Sequence, residues 1–290
     1  MMYRLLLDTS SLMYRAFFAL PTTMVDENGD PINAVHGYLD MTARLQTQYH
    51  PEQLVHVFDH DWRPAPRVAA YAGYKAARPD DPPALPPQFT LLRDVLQALG
   101  ATVAESPGWE ADDAIGALCQ QAAADDRIDI VTGDRDLFQL VRDDAGAATI
   151  RVLMPIRGVG EMAAFDSAAV REKYGVPPSR YVDFATLRGD PSDGLPGVKG
   201  IGEKTARTLV EQYPSIDELL ADVDALKPRM SASLRDSEEY LAAMRQVVPI
   251  RTDVPVDLTA GEPDEARLAD LGDRFRLVGA IKRFREAIQS

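Results

Sequence analysis

Over the first 155 residues, short apolar runs alternate with stretches of helical period. YRLLLD (3–8), QLVHVFD (53–59), ATVAES (101–106), RIDIVTGD (127–134) and ATIRVLMP (148–155) read as strands. Helical patterns fall between them: one follows Asp8 through Phe18, and others cover 33–49, 86–100 with Gly100 as its stop, and 110–125. Strands alternating with helices predict an α/β fold with a mostly parallel sheet covered on both faces. Sites in such sheets form beyond the carboxyl ends of the strands, where Asp8, Asp59 and Asp134 all stand.

The segment 62–87 breaks this rhythm. It begins basic and aromatic and then places five prolines among residues 79–87. That composition resists a long helix and predicts a mobile loop or partly ordered arch above the sheet. From about residue 166 the strand signals fade and short helical patterns dominate. The expected organisation is therefore a core over 1–165 with the arch at 62–87, a helical lobe over 166–260, and a segment over 261–290 whose IKRFR stretch packs back on the core.

Composition changes this picture little. Hydrophobic residues at 46% and charged residues at 26% are ordinary for a soluble domain. No apolar run approaches a membrane span, and the N-terminus lacks the h-region of a secretory signal, so no membrane partner is expected. The single cysteine, Cys119, reads as a core thiol, consistent with a reducing cytoplasm. A net charge of −14 argues at first against a nucleic-acid partner. The distribution of charge weakens that objection. Arg63, Arg67, Lys75 and Arg78 occupy a window without one acidic residue, and many carboxylates sit in short motifs where bound cations would reverse the local field.

Nine acidic positions stand out: Asp8, Asp59, Glu110, Asp112, Asp113, Asp134, Asp136, Asp190 and Asp193. Glu110 and Asp113 share a helix face, with Asp112 beside them in the first turn, where the helix dipole favours anions. Asp134 and Asp136 are two apart at a strand end, and Asp190 and Asp193 lie on a glycine- and proline-rich turn. Taken singly, each is explained as a cap or turn residue. Together they predict a divalent-metal site, since carboxylates packed this closely repel one another and all-oxygen ligand sets suit Mg²⁺ and Mn²⁺. No Cys/His zinc spacing competes; His56 and His60 read as structural or exposed. Gly197, Gly200 and Gly202, with Lys199 and Lys204, form a tight turn into a helix, the kind of backbone that cradles phosphate. Tyr71 and Tyr74 could stack on single-stranded bases, with packing preferred for Tyr71; Trp109 reads as a staple for the helix after it.

The motifs DTSSLMYRAFFALP, VFD, YAGYKAAR, WEADDAIGAL, TGDRDLFQL and GDPSDGLPGVKGIGEKTA, in this order, resemble the 5′-nuclease domain of bacterial DNA polymerase I and its stand-alone flap endonuclease relatives, from about residue 3 to about residue 250. The resemblance implies a PIN-like (Rossmann-like) core, a helical arch and a helix-three-turn-helix lobe. It implies 5′ flap endonuclease and 5′-3′ exonuclease activity on DNA in replication and repair. Asp8, Asp59, Glu110 and Asp112 would serve a first Mg²⁺ or Mn²⁺, and Asp113, Asp134, Asp136 and Asp193 a second, with Asp190 near a second or third ion. Lys75, Arg78, Arg15 and Tyr14 would be active-site residues, and Arg67 a further phosphate contact. Gly197, Lys199, Gly200, Gly202 and Lys204 would hold duplex DNA, with a K⁺ ion on the turn carbonyls. Implied partners are flap, gapped or nicked DNA, an RNA primer in an RNA–DNA hybrid, and a polymerase or ligase in the same process; the protein is expected to be monomeric, in the cytoplasm with the nucleoid. The sequence departs from the usual pattern at Thr9, Ala69, Ala77, Arg135 and Gly194, none of which removes a carboxylate.

Three rivals are weaker. A haloacid-type phosphatase needs D-x-D after the first strand, and Ser10 occupies the third place. A PIN-type ribonuclease would not need the glycine turn. A non-catalytic structure-specific DNA-binding protein would not need all nine carboxylates.

Overall fold

The computed structural model describes residues 1–289. Seven strands form one sheet in the order β6-β5-β4-β1-β2-β3-β7. The central strands β1 (Tyr3–Asp8), β2 (Gln53–Val57), β3 (Thr102–Glu105), β4 (Arg127–Val131) and β5 (Thr149–Pro155) are parallel. Two short strands close the edges antiparallel, β6 (Met162–Phe165) on β5 and β7 (Asp257–Thr259) on β3. Neither edge strand is foreseen from the sequence. The intervening helices are α1 (Thr9–Ala19), α2 (Asn33–Tyr49), α3 (Ala65–Ala70), α4 (Pro86–Ala98) and α5 (Ala111–Gln120). Beyond the sheet come α6 (Ser167–Tyr174), α7 (Tyr181–Arg188), α8 (Glu203–Gln212), α9 (Ile216–Ala221), α10 (Pro228–Arg235) and α11 (Glu238–Val247), then α12 (Glu265–Arg274) and α13 (Val278–Gln289).

The alternation of β1 sorts its side chains onto two cores. Leu5 and Leu7 pack with α1, α2, α4 and α13, whereas Leu6 faces α5 and a core continuous with the helical lobe. Helix α13, which carries IKRFR, lies on α2, with Arg283 Nε donating to Asp40 at 2.8 Å and Phe284 near the His56 ring. Helix α5 is shorter than the 110–125 pattern suggests. Asp126 accepts from the Ala123 and Met2 amides, which turns the chain out of the helix and into β4. His56 is buried beneath Tyr38, whose hydroxyl lies 2.7 Å from its Nδ1, and burial holds the ring neutral by lowering its pKa to about 3. Cys119 is buried, and desolvation raises its thiol to about 12.

Within 62–87, α3 and the turn after it fold down against α11 and the first turn of α5. The physical cause is ionic: Arg67, Lys75 and Arg78 of this segment pair with Glu110, Asp113 and Asp193.

Candidate metal and nucleic-acid site

Each strand-end aspartate is held by a local device. Asp8 is the N-cap of α1; its Oδ1 accepts the Ser11 amide at 3.0 Å and its Oδ2 the Thr132 hydroxyl at 2.6 Å. Register puts Asp8 beside Val57, so Asp59 follows on the same edge. Asp59 accepts the Ala111 amide at 2.8 Å and the Ser10 hydroxyl, which ties it to the start of α5. Asp134 accepts the Asp136 amide at 2.8 Å and donates its own amide to Thr132 Oγ1 at 2.9 Å. Asp190 caps the 191–193 turn through the Ser192 amide and hydroxyl. Asp193 takes Arg78 Nη2 at 2.6 Å.

These groups share one electrostatic field. Burial, then Asp59 and Asp134, raises Asp8 to about 7. Burial and the charges of Asp134, Asp8 and Glu110 lift Asp112 well above the carboxylate range. Asp136 rises well above it for the same reasons, burial first and then Asp134, Asp193 and Asp190. Asp134 is raised too, by burial and by Asp193 and Asp190, although the Asp136 amide opposes the rise. Among the described residues, the carboxylates of Asp112 and Asp136 accept no hydrogen bond. Nor, among them, do three acidic or histidine side chains converge as a finished ligand shell. The donor set is nevertheless all oxygen, and among the described residues Asp8, Asp112, Asp134 and Asp136 form no ion pair, which fits hard divalent cations.

Glu110 and Asp113 are differently placed. Glu110 accepts from Arg67, from Lys75 and from the Tyr74 hydroxyl at 2.6 Å. Burial pushes its carboxyl upward, Lys75 and Arg67 pull it back, and Lys75 itself is raised by Glu110 against the opposing effect of its own burial. With three donors on it, Glu110 is a partnered carboxylate. Asp113 is fully buried and grips Arg67 through two 2.7 Å bonds; it also accepts the Arg251 amide at 2.9 Å and the Glu110 amide, completing a capping box.

Three expectations are corrected by this geometry. Asp113, expected to ligate a second ion, is occupied by Arg67 and the backbone. Arg67, expected on DNA phosphate, is 3% exposed and also donates to the Val247 carbonyl at 3.1 Å. Tyr74, expected on DNA, is 4% exposed with its hydroxyl on Glu110. In all three cases a buried charge or phenol needs a partner, and the nearest ones lie within the protein. Tyr71 packs edge-on against Tyr240, and Trp109 lies beneath the guanidinium groups of Arg67 and Arg251.

Arg15 turns to the end of β5, where its Nη2 donates to the Pro155 carbonyl at 2.9 Å. Tyr14 is partly exposed, donates to Asp81 and meets Phe89 edge-on. Sequence reasoning overlooked Thr132, Ser10 and Arg251. Thr132 and Ser10 adjoin VTGD and LLLD, but nothing local marks Arg251, which acts across 138 residues.

The glycine turn follows Asp193. Gly197 and Gly200 have φ of +68° and +80°, and Gly202 caps α8. Gly200 and Gly202 face open space, and Lys199 and Lys204 are exposed beside them. Gly197 instead packs on the Arg188 carbonyl, and its amide donates to the Tyr240 hydroxyl at 3.2 Å.

Residues 3–175 match the family model for the 5′-3′ exonuclease N-terminal resolvase-like domain, and residues 176–269 that for the 5′-3′ exonuclease C-terminal SAM fold. A 5′-3′ exonuclease of Streptomyces coelicolor is 44% identical over 96% of this chain and 98% of its own. One from Mycobacterium tuberculosis is 39% identical over 98% and 97%. Among solved structures, the bacteriophage T5 D15 flap endonuclease in a complex with DNA and metal ions superposes with a TM-score of 0.65 at 16% identity, covering 99% of each chain.

Proposed function

The chain belongs to the 5′-3′ exonuclease family, and from that premise we propose how its residues hydrolyse DNA. Asp8, Asp59 and Asp112, with Glu110 once its cations withdraw, would hold one Mg²⁺ or Mn²⁺. Asp134, Asp136 and Asp193 would hold a second, with Asp190 alongside for a second or third. Bound there, divalent ions would supply Lewis acidity toward water and phosphate oxygen. The observation that carries this reading is the pair of half-buried carboxylates without, among the described residues, a hydrogen-bond or ion-pair partner, Asp112 and Asp136, amid like charges.

The chain's own cations supply the rest. Lys75 and Arg78 sit on Glu110 and Asp193 and can transfer to a scissile phosphate that enters beside them, neutralising charge as it builds. Arg15 approaches from α1, and Tyr14 offers a partly exposed ring to the displaced strand. The open turn at Gly200 and Gly202, with Gly197 beneath and Lys199 and Lys204 beside it, holds duplex phosphate, and its carbonyls could take K⁺. The substrate is DNA carrying a 5′ single strand, including RNA–DNA hybrids at primers, in a process shared with a polymerase or ligase. Replacing Asp134 or Asp136 by Ala should abolish cleavage of labelled flap DNA with Mn²⁺ while binding persists. Full activity in either variant would remove the second ion from the scheme.

A further inference from the structure

Helix α7 ends on Arg188, two residues before Asp190. The Arg188 guanidinium lies over the Phe184 ring, 5.0 Å from its centroid, and its Nε donates to the Gly189 carbonyl at 3.1 Å. Its own carbonyl meets Gly197 so closely that a Cβ there would collide with it. Side chain and backbone are thus both held in place. Arg188 Nη2 stands 3.8 Å from Asp190 Oδ2, is buried, and makes no hydrogen bond among the described residues. A buried donor in that position needs an acceptor, and carboxylates face it. Asp190 gives Oδ1 to the Ser192 amide and hydroxyl and leaves Oδ2 toward Arg188. Arg188 also opposes the upward shift that burial, Asp134, Asp193 and Asp190 impose on Asp136.

From this geometry we infer that Arg188 is a positioning residue for the second ion: seated on Phe184, it holds Asp190 from the protein side, so that Asp190 and Asp136 keep free oxygens aimed into the cluster. The inference rests on the proposed ion site at Asp134, Asp136 and Asp193, with Asp190 beside it. Arg188 acts through these carboxylates and not on the ion or the DNA.

Charge and position predict opposite signs. By Coulomb's law alone, a cation 3.8 Å from Asp190 repels a divalent ion, so its removal should tighten binding. A ligand that loses the group orienting it should instead bind about 10- to 100-fold more weakly. Arg135 supplies the comparison within the same site. Its Nη2 lies 3.9 Å from the same Asp190 oxygen, but its side chain is half exposed.

The test is calorimetric titration of ion-free protein with Mn²⁺ alone, the second site being the one that Asp136→Ala abolishes. Arg188→Met and Arg188→Lys should each weaken that site about tenfold or more and leave the first unchanged. Lysine keeps the charge but lacks the plane that rests on Phe184. Arg135→Met should hold or raise affinity. Tighter Mn²⁺ binding in Arg188→Met, or an equal loss in Arg135→Met, would overturn the inference. Full affinity in Arg188→Lys would overturn it too, since charge would then suffice. Nitrogen-detected NMR of the native protein covers variants that fail to fold. Rotation about Nε–Cζ should be hindered in Arg188 and free in Arg135; an Arg188 as free as Arg135 would overturn the positioning role. Native protein that takes up no Asp136-dependent Mn²⁺ while Arg188 stays held would count against the proposed function alone.

Discussion

Arg67 and Asp113 meet fork to fork, Nη1 on Oδ2 and Nη2 on Oδ1, both at 2.7 Å and with neither residue open to solvent. Arg67 comes from the basic segment and Asp113 from the first turn of α5, so the pair fastens that segment to the edge of the sheet. A bidentate buried pair constrains geometry more than it adds net energy, but removing one partner strands the other charge.

Arg67→Met should therefore destabilise the ion-free protein by about 3–5 kcal/mol in denaturant unfolding. Arg67→Lys should fail to restore it, because an ammonium cannot match both oxygens. An unchanged unfolding midpoint in either variant would show that the pair does not hold the segment.

Tyr74→Phe removes one hydroxyl from Glu110 without altering packing. A loss of about 1–2 kcal/mol in stability is expected, with flap-DNA affinity unchanged. A weakened affinity with native stability would return Tyr74 to the DNA surface.

The raised carboxyls make ion-free stability depend on pH in a definite direction. A carboxyl whose folded value lies above its ordinary one favours folding below the ordinary value and loses that contribution as pH rises through the folded one. Asp8 does so near pH 7, and Asp112 and Asp136 lie well above the carboxylate range. His56, held near 3, opposes this only below its ordinary 6.5, where the unfolded chain takes up the proton. Between pH 6.5 and 8 the melting temperature of ion-free protein should fall, and Mn²⁺ should restore it at pH 8. A flat profile that ignores Mn²⁺ would contradict the crowded-carboxylate site.

Asp136→Asn removes a charge that the ion-free fold tolerates badly. It should stabilise that form at pH 8 while abolishing one Mn²⁺ site and cleavage. Calorimetric titration and melting curves on the same sample check both halves.

Lys75→Ala takes one of two internal counter-cations from Glu110. Cleavage should slow by about 10²–10³, in the range of lost electrostatic stabilisation of a transition state, while Mn²⁺ affinity holds or rises. A collapse of metal affinity would move Lys75 from the reaction to the architecture.

The strands that carry the site were legible because each is a short apolar run ending in an aspartate. Burial on both faces of a parallel sheet demands such runs. Strands β6 and β7 were not, because an edge strand of three or four residues leaves almost no period to read. The glycine turn was visible in the spacing of Gly197, Gly200 and Gly202, although only two of these glycines face open space and Gly197 serves backbone packing.

Local pattern therefore determined that acidic groups would gather at one edge of a parallel sheet, since strand direction and helix starts are set by neighbours in the chain. It could not say which of them would be left without partners. Glu110 and Asp113 look like Asp112 and Asp136 along the chain, yet the first two are matched by cations 35 to 46 residues away and the other two are not. Coulomb attraction acts through space and takes no account of sequence separation, so that distinction arose only when the chain closed on itself.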